Sequence, residues 1–206
     1  MRRVSLLIAS SLLIAAAGCR STPPLSVKNG LMMSPRLASL APSNIAILPV
    51  EDATVNRDFG GQEEVLRAAV ARMMPSRQYA PIDDDFVDQV LGQRGGVTGS
   101  VTDPGYVGLL RGAFEADAIL GIRVTQWNVA DVMRSPPQVR FSVDVLMIAS
   151  ESDEQLITGT YSGVLKPGGE SAAPLERSDR IRAAADTLGL MLAETFPVRP
   201  IRPGGS

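Results

Sequence analysis

The chain has 206 residues, 45% apolar and 20% charged, with no histidine, one cysteine and a formal net charge of −2. Without histidine there is no Ser-His-Asp triad, no Cys-His pair, no His-ligated zinc and no imidazole proton shuttle. One cysteine excludes an intramolecular disulfide, a four-cysteine zinc site and a dithiol redox pair.

The amino terminus reads as an export signal. Arg2 and Arg3 precede Val4–Ala17, a run of 14 residues broken only by Ser5, Ser10 and Ser11. A membrane-spanning helix needs about 20 apolar residues, so this run fits the core of a secretory signal instead. It ends in Ala16-Ala17-Gly18-Cys19, which resembles the lipobox of bacterial lipoproteins. The resemblance implies cleavage between Gly18 and Cys19 and acylation of Cys19, palmitate included, as the new amino terminus. Each buried CH₂ of an acyl chain is worth about 0.8 kcal/mol, so several chains hold a protein permanently. Arg20 stands where enteric lipoproteins retained in the inner membrane carry aspartate. That implies an outer-membrane protein facing the periplasm.

Arg20 to Ser43 reads as a flexible tether with four prolines, spanning about 27 Å as a coil. Residues 44–196 form a single predicted domain, and residues 197–206 a flexible tail. All 22 acidic residues lie between Glu51 and Glu194, against 13 cations there, a net of −9. An acidic body argues against nucleic acid as a partner. The basic tether suits anionic headgroups, at about 1 kcal/mol per cation near a charged surface.

Asn44 to Val50 is a short apolar run rich in branched residues, a buried strand ended by Pro49. Gln62 to Met74 places Val65, Ala69 and Met73 on one helical stripe, with Glu63 and Glu64 in the first turn as the helix dipole prefers. Gln78 to Ile82 is a short strand. Asp83 and Asp103-Pro104 are helix starts by their capping chemistry. Asp117 to Trp127 is the strongest strand, with Ala118, Leu120, Ile122 and Val124 on one face and Ile119, Arg123, Thr125 and Trp127 on the other. Val139 to Met147 alternates with Arg140, Ser142 and Asp144, a half-exposed antiparallel strand. Gln155 to Leu165 repeats that style, and a final helix covers about Glu176 to Phe196. The order β-α-β-α-α-β-β-β-α predicts an α/β (α+β) fold, a mixed sheet packed by helices.

Few residues offer chemistry. Asp83-Asp84-Asp85 with Asp88 is a dense carboxylate group, but lacks calcium-loop spacing and reads as capping. Gly95 to Ser100 is glycine-rich without a phosphate-loop lysine. Glu63 and Glu64 could serve carboxylate chemistry only beside a third carboxylate in a cleft. Trp127 is either core or an exposed anchor, and is the candidate partner-binding residue. No metal or cofactor site is expected.

Ile45-Ala46-Ile47-Leu48-Pro49-Val50-Glu51-Asp52 is similar to the opening strand and polar loop of a group that includes the curli-secretion lipoprotein CsgG, the TolB amino-terminal domain and the synthase-activating lipoprotein LpoB. Phe114-Glu115-Ala116-Asp117-Ala118-Ile119-Leu120-Gly121 resembles the helix-to-strand junction of the same group. The resemblance spans residues 44–196 and implies a TolB-like or CsgG-like sheet. Together with the lipobox it implies a non-catalytic binding or accessory module in envelope assembly or secretion, with the membrane and an envelope protein as partners. A hydrolase working through carboxylates and a ring-forming secretion component are the alternatives. The oligomeric state is open at this point.

Overall fold

A computed structural model describes residues 26–130, 138–166 and 177–200. In chain order the elements are β1 (Ser26–Met33), α1 (Leu37–Leu40), β2 (Asn44–Ile47), β3 (Glu51–Asp52), α2 (Glu63–Met73), a 3-10 turn (Met74–Arg77), β4 (Ala80–Pro81), α3 (Asp84–Gln93), α4 (Pro104–Leu109), β5 (Ala118–Ala130), β6 (Gln138–Ala149), β7 (Gln155–Leu165) and α5 (Arg177–Glu194). The strands form one sheet in the order β1-β7-β6-β5-β2-β4, with β3 also beside β5. β2 pairs in parallel with β4 and β5, and β3 in parallel with β5. β1, β7, β6 and β5 form an antiparallel meander. The fold is the mixed, helix-packed sheet that the sequence predicts. From Asn44 onward the predicted order holds, with β3 as an added two-residue strand.

The helices divide between the two faces by their apolar stripes. α2 and α5 bury Leu66, Val70, Leu188 and Leu192 against Ile45, Ile47, Leu120, Ile122, Val143 and Tyr161. A Cβ at Gly189 would stand 2.5 Å from the Ala69 Cβ and 2.8 Å from the Leu66 carbonyl oxygen, so glycine lets α5 approach α2 this closely. On the opposite face α3 and α4 place Val87, Leu91 and Val107 over Ala46, Leu48, Ile119, Leu146 and Ile148. The helix starts form as predicted. Asp83 accepts a hydrogen bond from the Phe86 amide at 3.1 Å, and Asp103 one from the Gly105 amide at 3.0 Å.

Two predicted boundaries are corrected. Residues 26–43 are not tether: β1 pairs along all eight residues with β7. Its signal is faint because an edge strand needs little apolar surface, and here Val27 and Leu31 alone lean on the core, while Gly30, three polar residues and the exposed Met32 and Met33 fill the rest. Gly159 opposite has φ +139°, and a Cβ there would stand 2.3 Å from the Gly30 carbonyl oxygen. Only glycine fits that approach. On the free side of β1 the Leu31 amide donates to its neighbour, the Asn29 Oδ1, at 3.0 Å. The predicted tail is also held where described. The Arg199 amide donates to the Arg77 carbonyl at 3.0 Å, and its Nε to the Ala41 carbonyl at 2.9 Å.

One buried ion joins three elements. Ile45 and Ile47 direct their carbonyls toward β4. The Ile45 oxygen accepts the Ile82 amide at 2.9 Å, but β4 ends there and leaves the Ile47 oxygen without a strand. Arg67, fully buried on α2, donates to that oxygen from Nε at 3.1 Å and Nη2 at 2.8 Å. Its Nη1 meets both oxygens of Asp88 at 2.9 Å, and Nε lies 3.3 Å from Asp84 Oδ1. Burial raises the Asp84 carboxyl above its ordinary range; Arg67 opposes the rise, and Asp88, Asp83 and Asp85 add to it. A carboxyl raised by folding favours the native state while protonated and opposes it once ionised.

The two aspartates should therefore answer differently to amide substitution. Asp88→Asn breaks the charge-assisted pair to a buried guanidinium and should cost about 1–3 kcal/mol of unfolding free energy. Asp84→Asn should match or exceed the wild type at pH 7. Its difference from wild type should vanish as pH falls below the ordinary carboxylate range near 3.9, where both side chains are neutral. Urea unfolding across pH reads both. A large loss for Asp84→Asn at neutral pH would contradict this account.

Candidate functional site

The carboxylates that the sequence offered for catalysis are mostly committed to structure. Asp83 and Asp103 cap helices. Asp84 and Asp88 surround Arg67. Asp117 accepts the Ser43 and Asn44 amides at 2.7 and 3.0 Å and so fixes the entry to β2. Glu51 accepts the Ser100 hydroxyl at 2.8 Å and the Val101 amide at 3.1 Å with one oxygen, and pairs with Arg123 at 3.0 Å through the other. The glycine-rich run from Gly95 is a turn: Gly95 and Gly96 both have positive φ, and the Gly96 amide returns to the Leu91 carbonyl after α3. Glu64 lies on a groove of about 600 Å³ between α2 and α5, with Asp179, Asp186, Arg72 and Arg182. There Asp186 is bound by Arg72 at 2.7 Å. Among the described residues no group of three Asp, Glu, His or Cys side chains could hold a metal ion.

Trp127 is not an exposed anchor. It is 1% exposed and packs edge-to-face on Phe59, with ring centroids 4.9 Å apart. The strand pattern put it on the face of Arg123 and Thr125. The structure corrects this because the pairing of β5 with β6 shifts register between Val124 and Gln126. The extra residue, Thr125, bonds its hydroxyl to the Ser142 carbonyl at 3.2 Å. Such a bulge reverses the alternation that follows. Trp127 thereby joins the buried face of Leu120, Ile122 and Val124. Its Nε1 is buried without a hydrogen-bond partner.

Beside the bulge, the 53–58 loop stands against β5. Asp52 accepts the Thr54 amide and hydroxyl at 2.9 and 2.6 Å, and Thr54 accepts the Asp58 amide at 2.7 Å. The loop and strand enclose an open polar cleft of about 510 Å³, whose lining includes Asn56, Gln126, Asn128 and Ser142. The cleft continues onto a wider surface. Helices α3 and α4 reach β6 only at Leu146 and Ile148. Beyond them the same face carries Arg140, Ser142 and Asp144 from β6, Thr160 and Ser162 from β7, and Lys28 from β1, in register and half-buried or exposed. Thr160 donates to Asp144 at 2.7 Å. The sequence marked Arg140, Ser142 and Asp144 as an outward face. Lys28 was missed, because β1 was read as tether. Gly18 and Cys19 lie outside the described residues.

No family model matches the chain, and no curated protein matches it. Solved structures do. The lipoprotein GNA1162 from Neisseria meningitidis is similar at 16% identity over 75% of this chain and 100% of that one, with a TM-score of 0.48. The PelC dodecamer from Paraburkholderia phytofirmans matches at 12% identity over 86% of this chain and 99% of that one, with a TM-score of 0.49. The LpoB carboxy-terminal domain from Escherichia coli matches at 14% identity over 58% of this chain and 81% of that one, with a TM-score of 0.38.

Proposed function

We propose that this chain is a lipid-anchored envelope protein that works by contact, as an accessory module binding another envelope protein. Acylated Cys19 holds it to the periplasmic side of the outer membrane. The observation that carries the contact reading is the bare polar half of the sheet, with Ser142, Asp144, Thr160 and Ser162 in adjoining rows beyond the reach of α3 and α4. Hydroxyls and a carboxylate fixed on a rigid sheet suit the polar rim and hydrogen bonds of a protein interface. The anchor reading rests on the signal-like run and on Ala16-Ala17-Gly18-Cys19. The structural commitments of Glu51, Asp84, Asp88 and Asp117 support contact over carboxylate catalysis.

Globomycin should make the uncleaved precursor accumulate, and Cys19→Ala should move the protein from the membrane to the soluble fraction. Crosslinking in intact envelopes should trap a second protein through positions on the sheet face. Thr160→Arg combined with Ser142→Arg should reduce that product at least ten-fold without lowering the melting temperature by more than a few degrees, since surface changes usually stay within about 0.5 kcal/mol. Membrane retention of the Cys19→Ala protein removes the anchor. Unchanged crosslinking by the double variant removes the sheet face as the contact.

A further inference from the structure

We propose that the end of the sheet where β1 begins rests directly on an anionic lipid surface. The proposal depends on the anchor reading above. Ser26 starts β1, so seven Cα-to-Cα steps separate it from Cys19, at most about 25 Å. The anchor is thus attached to the sheet itself, not to a long tether, and one end of the sheet stays near the bilayer.

The register gathers cations at that end. Lys28 and Arg140 lie on one face, two strands apart and one alternate row apart, around the Ser26–Val164 pair. Lys166 immediately follows Leu165, the residue that pairs with Val139 of β6. Arg57 sits in the 53–58 loop, which stands against Gln126–Asn128 of β5 at the same end. Among the described residues none of these four has an ion-pair partner. Among the described residues, Asp58 lies beside Asn128 at this end, and Asp144, one alternate row beyond Lys28 on the same face, accepts the Thr160 hydroxyl. In the same loop, two residues before Arg57, the apolar side chain of Val55 is 97% exposed.

The opposite end is net acidic. It carries Glu115, Asp117, Glu151, Asp153 and Glu154, the last two paired with Arg111 and Arg36, with Arg199 beside Asp117 and Glu151. With both ends charged this way, an anionic bilayer attracts one and repels the other. Unpaired cations plus a protruding apolar residue match a headgroup layer, where charge and shallow apolar insertion act together.

The test uses the Cys19→Ala chain, free of any lipid, with vesicles of phosphatidylglycerol and phosphatidylcholine. Binding should exceed that to pure phosphatidylcholine, and should fall steeply at 0.5 M salt. Each cation contributes about five-fold near such a surface, so Lys28→Ala, Arg57→Ala, Arg140→Ala and Lys166→Ala together should lower partitioning several hundred-fold. Val55→Asp alone should lower it measurably, and serves if the quadruple variant folds poorly. A photo-crosslinking residue at position 55 of the acylated protein should label lipid, and one at position 151 should not. Equal binding to neutral vesicles, undiminished binding by the variants, or labelling at position 151 alone overturns the proposal. Since the vesicle assay contains no anchor, failure of Cys19 acylation leaves its result intact and is read separately by fractionation.

Discussion

A sheet whose strands end at different heights must satisfy every carbonyl it strands. Here the difficulty falls at Ile47, two residues beyond the last that β4 can serve. Arg67 resolves it by bringing a guanidinium into a fully buried position, and the guanidinium in turn requires carboxylates. That requirement sets where α3 lies, because Asp84 and Asp88 stand one turn apart and both must face Arg67. Thus α2 on one face, the end of β2, and α3 toward the other face are held by a single side chain. Replacing such a group with apolar residues can be neutral, but removing one partner leaves the charge stranded. The interaction therefore specifies an arrangement more than it adds stability.

The division of labour between the faces follows from helix coverage. α2 and α5 span the first face across β2, β5, β6 and β7, giving a continuous core from Ile45 to Leu165. α3 and α4 are short and cover only the part of the second face near Leu146 and Ile148. The rest is largely polar, with Arg140, Ser142, Asp144, Thr160, Ser162 and Lys28, although Val164 and the exposed Met32 share that face by register. The open half of the second face is thus a consequence of α3 and α4 covering only part of it.

Legibility in the sequence tracked local chemistry. Capping at Asp83 and Asp103 and the alternation of β6 are carried by neighbouring residues and are readable; α2 forms where its periodicity places it, but Leu66, Ala69 and Val70 are its buried side, with the expected Val65 and Met73 half-buried beside them. The sheet edge was not. β1 is specified by its partner: Gly30 and Gly159 meet backbone to backbone, a fact written half in residue 30 and half in residue 159. Trp127 failed for a related reason. A bulge is visible only when two strands are set side by side, and one inserted residue turned an outward tryptophan into a core one. Nothing near Arg67 in the sequence announces that a carbonyl twenty positions earlier needs it.

The asparagine on the outer side of β1 has a consequence for crowding. A sheet edge of eight residues is a template for strand addition and, from there, for aggregation. By folding its side-chain oxygen onto the Leu31 amide, Asn29 withdraws a donor from the middle of that edge. This one internal bond leaves one fewer free donor for a strand of another copy to take up along that edge.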